Sequence, residues 1–378
     1  MVSTRRDVLP DAMSHRPRYS VEHLLRRRMH GMVLPGFDRI AGPPAPRVTT
    51  YIHEAAGLAV AGLGGSHGSS VISCTPCVSR GASAIAETDS GARLFVKALG
   101  PGGFGYENEA VVLGLLGDAR KSGIRVPAPE LLFWDPVRHV LATTEVGHSA
   151  SLDVVLRTAD ARAAATASTL VGRALATVHA ARVDVGPLAA EGRVHPFPLD
   201  DLADLTPSEL SSGVGVDFDE FVACVQSVSA ELGRLREERF DPVLVHGDLR
   251  APNVLVGQSR DPAEDGAVFV DWELACVGDV AADVGTVLAE ALATDLAVHG
   301  DIRTAGLWNR IFLDSYQGRS PMDEESVLRS VRYCGTQLIR GTLSRLEHQG
   351  TLGRVGRLQL ILGSAILRDP ARSKGVAW

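Results

Sequence analysis

Three oxygen-bearing side chains stand at spacings suited to phosphoryl transfer. Asp248 and Asn253 lie in His246-Gly247-Asp248-Leu249-Arg250-Ala251-Pro252-Asn253, a polar loop between two apolar runs, and Asp271 ends a further apolar run in Val268-Phe269-Val270-Asp271-Trp272-Glu273. Phosphoryl transfer asks little covalent work of a protein. It needs an acceptor for the hydroxyl proton and divalent cations held against the phosphates. A carboxylate suits the first task, and Asp and Asn oxygens are the hard ligands that Mg2+ prefers. The spacing therefore assigns Asp248 as base, with Asn253 and Asp271 on metal. The ordinary alternative is a turn with a capping Asn and a polar strand end, which leaves the agreement of all three positions unexplained.

Two cations belong with this set. Lys97 sits in the apolar run Leu94-Phe95-Val96-Lys97-Ala98-Leu99, and the chain has only two other lysines, Lys121 and Lys374. A compact ammonium there serves as a point charge against phosphate; an edge-strand lysine facing water is the other reading. Arg250, two residues beyond the base, reads either as a cation for the transferring phosphate or as a turn-stabilising contact.

These segments resemble the catalytic loop and metal-binding segment of the aminoglycoside phosphotransferase and choline kinase family, distant relatives of protein kinases, over residues 70–345. The resemblance implies ATP and Mg2+ as cofactors, and a first-lobe Lys paired with a Glu from the following helix. Lys97 and Glu109 fill those parts. Glu109 is preferred to Glu107 because helix positions two apart face different directions. By position, Ser79, Gly81 and Ser83 form the turn whose backbone amides cradle phosphate, and Thr144, Glu145 and Val146 meet the adenine where the lobes join. Asp279 and Asp283 resemble the family's acidic pair and read as structural residues, either of which caps the next helix; His179 reads as a core histidine beneath the loop. There is no Arg between His246 and Asp248, Asp271-Trp272-Glu273 stands where protein kinases have Asp-Phe-Gly, and no Ala-Pro-Glu follows, so a phosphorylation-controlled activation loop is not expected.

Glycine-rich alternatives carry less. No Walker-type motif is present, and Gly100-Pro101-Gly102-Gly103-Phe104-Gly105 matches Gly-x-Gly-x-x-Gly without the acidic residue that should end a second parallel strand, since Asp118 follows a helix directly.

The elements that must position these groups follow from periodicity. Val71–Val78, Ala82–Glu87 and Leu94–Leu99 read as successive antiparallel strands, Tyr106–Leu116 as a helix, and Glu130–Trp134 and Val140–Glu145 as further strands. After Gly147 the pattern is helical, most clearly over Ala161–Ala181 and Asp323–His348, with one strand island at Val243–Val245, Val254–Val256 and Val268–Val270. The expected fold class is α+β: a two-lobed protein kinase-like fold with a small antiparallel-sheet N-lobe (66–146, nucleotide-binding) and a mainly helical C-lobe (147–378, catalytic loop and acceptor site). Residues 1–65 form an extension without an assigned role, in which Ser20–Met32 reads as a short helix.

Bulk properties exclude several classes. With 378 residues, two lobes can each bury a core. A net charge of −7 with no basic tract argues against a nucleic-acid partner. No apolar run approaches a membrane span, and Met1–Arg18 lacks the apolar core of a secretory signal. Five scattered cysteines fit a reducing, cytoplasmic setting, and Cys74-Thr75-Pro76-Cys77 lacks the second pair a zinc site needs. The expected activity is transfer of the ATP γ-phosphate to a hydroxyl of a small molecule, aminoglycoside-like or another metabolite. An acidic stretch, Asp200, Asp201, Asp204, Glu209, Asp217, Asp219 and Glu220, forms either an acceptor wall for a cationic compound or a solvated face. Two alternatives remain: Ser/Thr phosphorylation of a ribosomally made peptide, with residues 1–65 holding a leader segment or partner protein, and a non-catalytic nucleotide-binding scaffold.

Overall fold

The computed structural model describes residues 46–63, 70–77, 82–98, 106–147, 149–190, 215–238, 240–257 and 266–377. The first lobe is an antiparallel sheet of β1 (Val71–Pro76), β2 (Ala82–Thr88), β3 (Arg93–Ala98), β4 (Leu131–Asp135) and β5 (Val140–Thr144), in the order β1-β2-β3-β5-β4. Side chains alternate between faces along a strand, so burying Leu94, Val96 and Ala98 on one face of β3 sends Lys97 to the other. Because β3 lies at the centre of the sheet, the edge-strand reading of Lys97 falls away.

The buried face is covered by a helix, α1 (Pro46–Gly62). Its Ala55, Ala56, Ala59 and Val60 pack on Ala86, Leu94, Val96, Ala98, Val140 and Ala142. This helix falls inside the 1–65 stretch that was given no role, so the sheet's cover begins upstream of residue 66. Ile52, Ala55, Ala56 and Ala59 recur at helical spacing, a signal masked by the Pro- and Gly-rich residues just before it. The helix expected at Ser20–Met32 lies outside the described residues.

After α2 (Tyr106–Lys121), the second lobe comprises α3 (Leu152–Thr158), α4 (Ala161–Ala180), α5 (Gly186–Ala190), α6 (Gly215–Ser227), α7 (Ser229–Glu237), α8 (Val280–Val298), α9 (Arg303–Gln317), α10 (Glu324–Gln349), α11 (Gly353–Arg368) and α12 (Pro370–Ala377). The two helices read most clearly from sequence begin at side-chain caps: Asp160 accepts from the Ala163 amide at 2.8 Å and Asp323 from the Ser326 amide at 2.8 Å. α8 is buried on nearly every side, packed between α9 and α10, as its apolar circumference requires. Among the described residues no helix is long and apolar enough to cross a membrane.

The strand island divides between two small sheets. β6 (Ser149–Ser151), β8 (Val254–Gly257) and β9 (Ala267–Phe269) form the first, and β7 (Val243–Val245) pairs with β10 (Cys276–Gly278) in the second. The chain leaves β9 at Phe269, one residue sooner than expected, and Asp271 adopts a left-handed backbone (φ 68°) that turns it into the single helical turn Trp272–Leu274.

Candidate active site

The pairing of these short strands explains the convergence of the polar groups. One loop, 246–253, runs from β7 to β8, and a second, 270–275, runs from β9 to β10. Since β7 pairs with β10 and β8 with β9, both ends of each loop are held against the other. The Val270 amide donates to the Asn253 carbonyl at 3.0 Å. His246 Nε2 donates to the Val270 carbonyl at 2.9 Å, and its Nδ1 accepts from the Asp248 amide at 3.3 Å. His246 is thus a bridge between the loops, and its ring lies 4.5 Å from that of Trp272.

Gly247 has a φ of 76°, and a Cβ there would stand 2.4 Å from the Leu274 carbonyl oxygen, so only glycine fits between the loops.

Lys97, Glu109 and Asp271 meet where the two lobes join. Lys97 Nζ donates to Glu109 Oε2 at 2.8 Å and also to Asp271 Oδ1. Glu109 is buried while Glu107 is exposed, as helical geometry requires. Burial works against the ammonium, yet Glu109, Asp271 and Glu273 together hold its pKa above the ordinary lysine value. Burial raises the Glu109 carboxyl, with Lys97 opposing, and burial and then Asp271 push Glu273 up to about 7. Asn108 on α2 ties the lobes together by donating to the carbonyls of Glu273 (2.9 Å) and Ala275 (2.8 Å).

Asp248 is buried, and Arg250 grips its carboxylate through Nε at 2.9 Å and Nη2 at 2.7 Å. Burial pushes the carboxyl pKa up, but Arg250 and then Arg340 outweigh it and leave the group below the usual carboxylate range. The amide nitrogen of Asn253 donates to the Asp248 carbonyl at 2.9 Å and its carboxylate at 3.3 Å, which leaves the Asn253 side-chain oxygen to serve as a ligand. Carboxylate oxygens of Glu109, Asp271 and Glu273 lie within 4.8 Å of one another. Three carboxylates around one ammonium are a donor set of the charge and hardness that suits a divalent cation.

The remaining expected contacts divide. Ser83 is buried and stands directly across from Lys97 in the β2–β3 pairing, so it shares that face of the sheet; Ser79 and Gly81 lie outside the described residues. Thr144 accepts from the Glu130 amide at 2.9 Å, Glu145 pairs with Arg93 at 3.0 Å, and the Val146 carbonyl accepts from Ser149 at 3.1 Å. Of the acidic stretch, Asp217 and Glu220 are both paired with Arg357, while Asp200, Asp201, Asp204 and Glu209 lie outside the described residues.

Asp279 caps α8 through the Ala281 amide at 3.0 Å and pairs with Arg329 at 2.7 Å. Asp283, the other member of the pair, has a structural role of a different kind, accepting the amides of His246 at 2.7 Å and Gly247 at 3.0 Å. His179 sits beneath the loop, between Tyr316 (2.7 Å) and Asp283 (3.2 Å). Sequence reasoning missed Glu290, which accepts from the Ala251 amide at 2.7 Å, and Arg340, whose Nη1 lies 3.7 Å from Asp248 Oδ1. Neither carries a local motif.

None of the curated proteins compared with the chain matches it. Solved structures do. An ethanolamine kinase from Plasmodium vivax is 16% identical, with a TM-score of 0.53 over 80% of this chain and 83% of its own. A microcompartment-associated aminopropanol kinase is 19% identical, with a TM-score of 0.53 over 85% and 98%. A type I macrolide 2′-phosphotransferase is 18% identical, with a TM-score of 0.50 over 86% and 98%. At these identities the likeness is one of fold, the two-lobed protein kinase-like architecture. The profile of the phosphotransferase enzyme family matches residues 107–324, more than half of the chain and all of the loops 246–253 and 270–275. The chain therefore belongs to the phosphotransferase enzyme family and is a kinase-type phosphotransferase.

Proposed function

We propose that this enzyme transfers the γ-phosphate of ATP to a hydroxyl group of a small molecule, with Mg2+ held by Asn253 and Asp271. One observation carries the reading: Lys97 of the first lobe is hydrogen-bonded to both Glu109 and Asp271, and the loop of Asp271 is tied through Val270 to the loop that holds Asp248 and Asn253. Bound Mg2+ would supply charge neutralisation at the phosphates. Lys97 holds phosphate oxygens, Glu109 orients Lys97, and Ser79, Gly81 and Ser83 offer the covering turn. The backbone of Thr144, Glu145 and Val146 meets the adenine. Asp248 takes the hydroxyl proton as the acceptor oxygen bonds to phosphorus and the bond to the ADP oxygen breaks. Arg250, which now neutralises Asp248, moves to the transferring phosphate.

A small-molecule acceptor is favoured over a peptide. The matched kinases are named for ethanolamine, aminopropanol and macrolides, all of which carry hydroxyl groups. The peptide and partner-protein readings leaned on residues 1–65, of which α1 is committed to covering the sheet. The scaffold reading is opposed by the presence of every polar group that transfer requires.

The test is [γ-32P]ATP turnover with Mg2+ across a panel of hydroxyl compounds. Asp248→Ala is expected to lower kcat by about 100- to 10,000-fold while ATP still binds; wild-type turnover in that variant would refute the assignment.

A further inference from the structure

Strand alternation gives the first sheet two faces, and only one of them is fully covered. Leu94, Val96 and Ala98 of β3 are buried in the cluster under α1, so Phe95 and Lys97 take the opposite face. That face looks toward the second lobe, because Lys97 bonds to Asp271 there.

The pairing registers extend this face into rows. Lys97 lies across from Ser83 on β2 and Leu141 on β5, and two residues back along β3 Phe95 lies across from Ile85 and Thr143. Two residues further back, Arg93 pairs with Glu145 at 3.0 Å. Such rows are about 7 Å apart. The Phe95 row therefore stands between the cation assigned to the phosphates and the segment 144–146 assigned to the adenine.

This row is closed at one end and open at its middle. Thr143 is buried, and beyond it Leu131 packs against the cluster that joins α2 to the second lobe. Phe95 and Ile85 are only half-buried, and among the described residues neither belongs to an apolar cluster. A phenyl ring carries more apolar surface than any other side chain of β3, and here part of it is left open beside the phosphate-binding lysine.

Resting on the phosphotransferase reading above, we propose that the nucleobase stacks on the Phe95 ring, with Ile85 beside it, and that this contact supplies affinity for the base without choosing among purines. Every base has a π-face to offer an aromatic ring, so choice among purines is left to the backbone of Thr144, Glu145 and Val146. Phe95 is a nucleobase-binding residue with no part in holding the phosphates.

Calorimetric titration of the full chain with MgATP, MgGTP and magnesium tripolyphosphate tests this, since tripolyphosphate has the phosphates without a base. Phe95→Ala is expected to weaken MgATP binding by about 5- to 150-fold, and MgGTP by the same factor where the wild type binds it, with tripolyphosphate affinity changing less than about twofold. Phe95→Tyr, which keeps the ring, should bind MgATP within about threefold of the wild type, whereas Phe95→Leu, which keeps apolar bulk without a π-face, should stay at least about threefold weaker. Should Phe95→Ala fail to fold, the leucine and tyrosine variants carry the same comparison. Equal losses for MgATP and tripolyphosphate, unaltered MgATP affinity in Phe95→Ala, or full recovery in Phe95→Leu overturns the proposal. Failure of the wild-type protein to bind MgATP is a different result: it removes the phosphotransferase reading and this inference with it.

Discussion

Asp283 accepts the backbone amide of His246 at 2.7 Å, and with its other oxygen takes that of Gly247 at 3.0 Å. Two turns further along the same face of α8, Glu290 accepts the amide of Ala251 at 2.7 Å. One rigid, buried helix thus grips the catalytic loop on both sides of Asp248. These are charge-assisted bonds to backbone, the kind that fix a loop's position most firmly.

Removing either grip should loosen Asp248 without touching it. Asp283→Ala leaves two buried amides unpaired and is expected to cost about 2–4 kcal/mol in urea unfolding. Glu290→Ala, with one amide unpaired, should cost about 1–3 kcal/mol, and Glu290→Gln, which keeps an acceptor oxygen, should recover most of that. In both alanine variants kcat should fall more than KM for ATP, measured by steady-state kinetics.

Gly247→Ala brings a left-handed backbone and a clash with the Leu274 carbonyl together. Strain of about 1–3 kcal/mol is expected from the backbone alone, and relief of the clash must separate the two loops. Calorimetry should show a lower Tm and kinetics a kcat loss resembling that of a base variant.

Lys97→Ala leaves Glu109, Asp271 and Glu273 facing one another without their counter-charge. Breaking a buried pair from one side is expected to destabilise by about 3–5 kcal/mol. A divalent cation can take over part of the lost neutralisation, so Mg2+ should raise the Tm of Lys97→Ala more than that of the wild type, read by scanning calorimetry over a Mg2+ series.

Tyr316 and Tyr333 are both buried, and burial pushes each phenol above its ordinary pKa of 10.0. Above pH 10 the unfolded chain therefore releases phenolic protons that the folded one retains, so stability falls as pH rises from about 10 upward. Absorbance near 295 nm should report these tyrosines ionising together with unfolding. Tyr333→Phe, which removes the titrating group, should weaken that dependence.

Cys334 is buried, and burial raises its thiol pKa well above the ordinary value. It should resist maleimide in the native enzyme and react once urea unfolds the chain, while the half-buried Cys74 and Cys77 react earlier, as mass spectrometry of labelled peptides would show.

Much of this was legible in advance where the signal is local. Asp248 and Asn253 share one loop, Lys97 stands alone in an apolar strand, and choosing Glu109 over Glu107 needed only helical periodicity. α1 was legible too, through Ile52, Ala55, Ala56 and Ala59, but the Pro- and Gly-rich approach to it obscured the pattern. The island Val243–Val270 read only as strand, with no pairing assigned, because short apolar runs declare that they pair, not with whom.

The amino-acid order by itself determined the chemistry on offer: a carboxylate suited to act as a base, hard oxygen atoms suited to a cation and one lysine in an apolar strand, because each is specified by neighbours within a turn or a strand. Only tertiary structure decided what surrounds them. Arg340, Glu290 and Asp283 reach the loop from α8 and α10, and no spacing rule links a helix to a loop that it meets only through packing. The charges that surround Asp248 are therefore a property of how the helices cross.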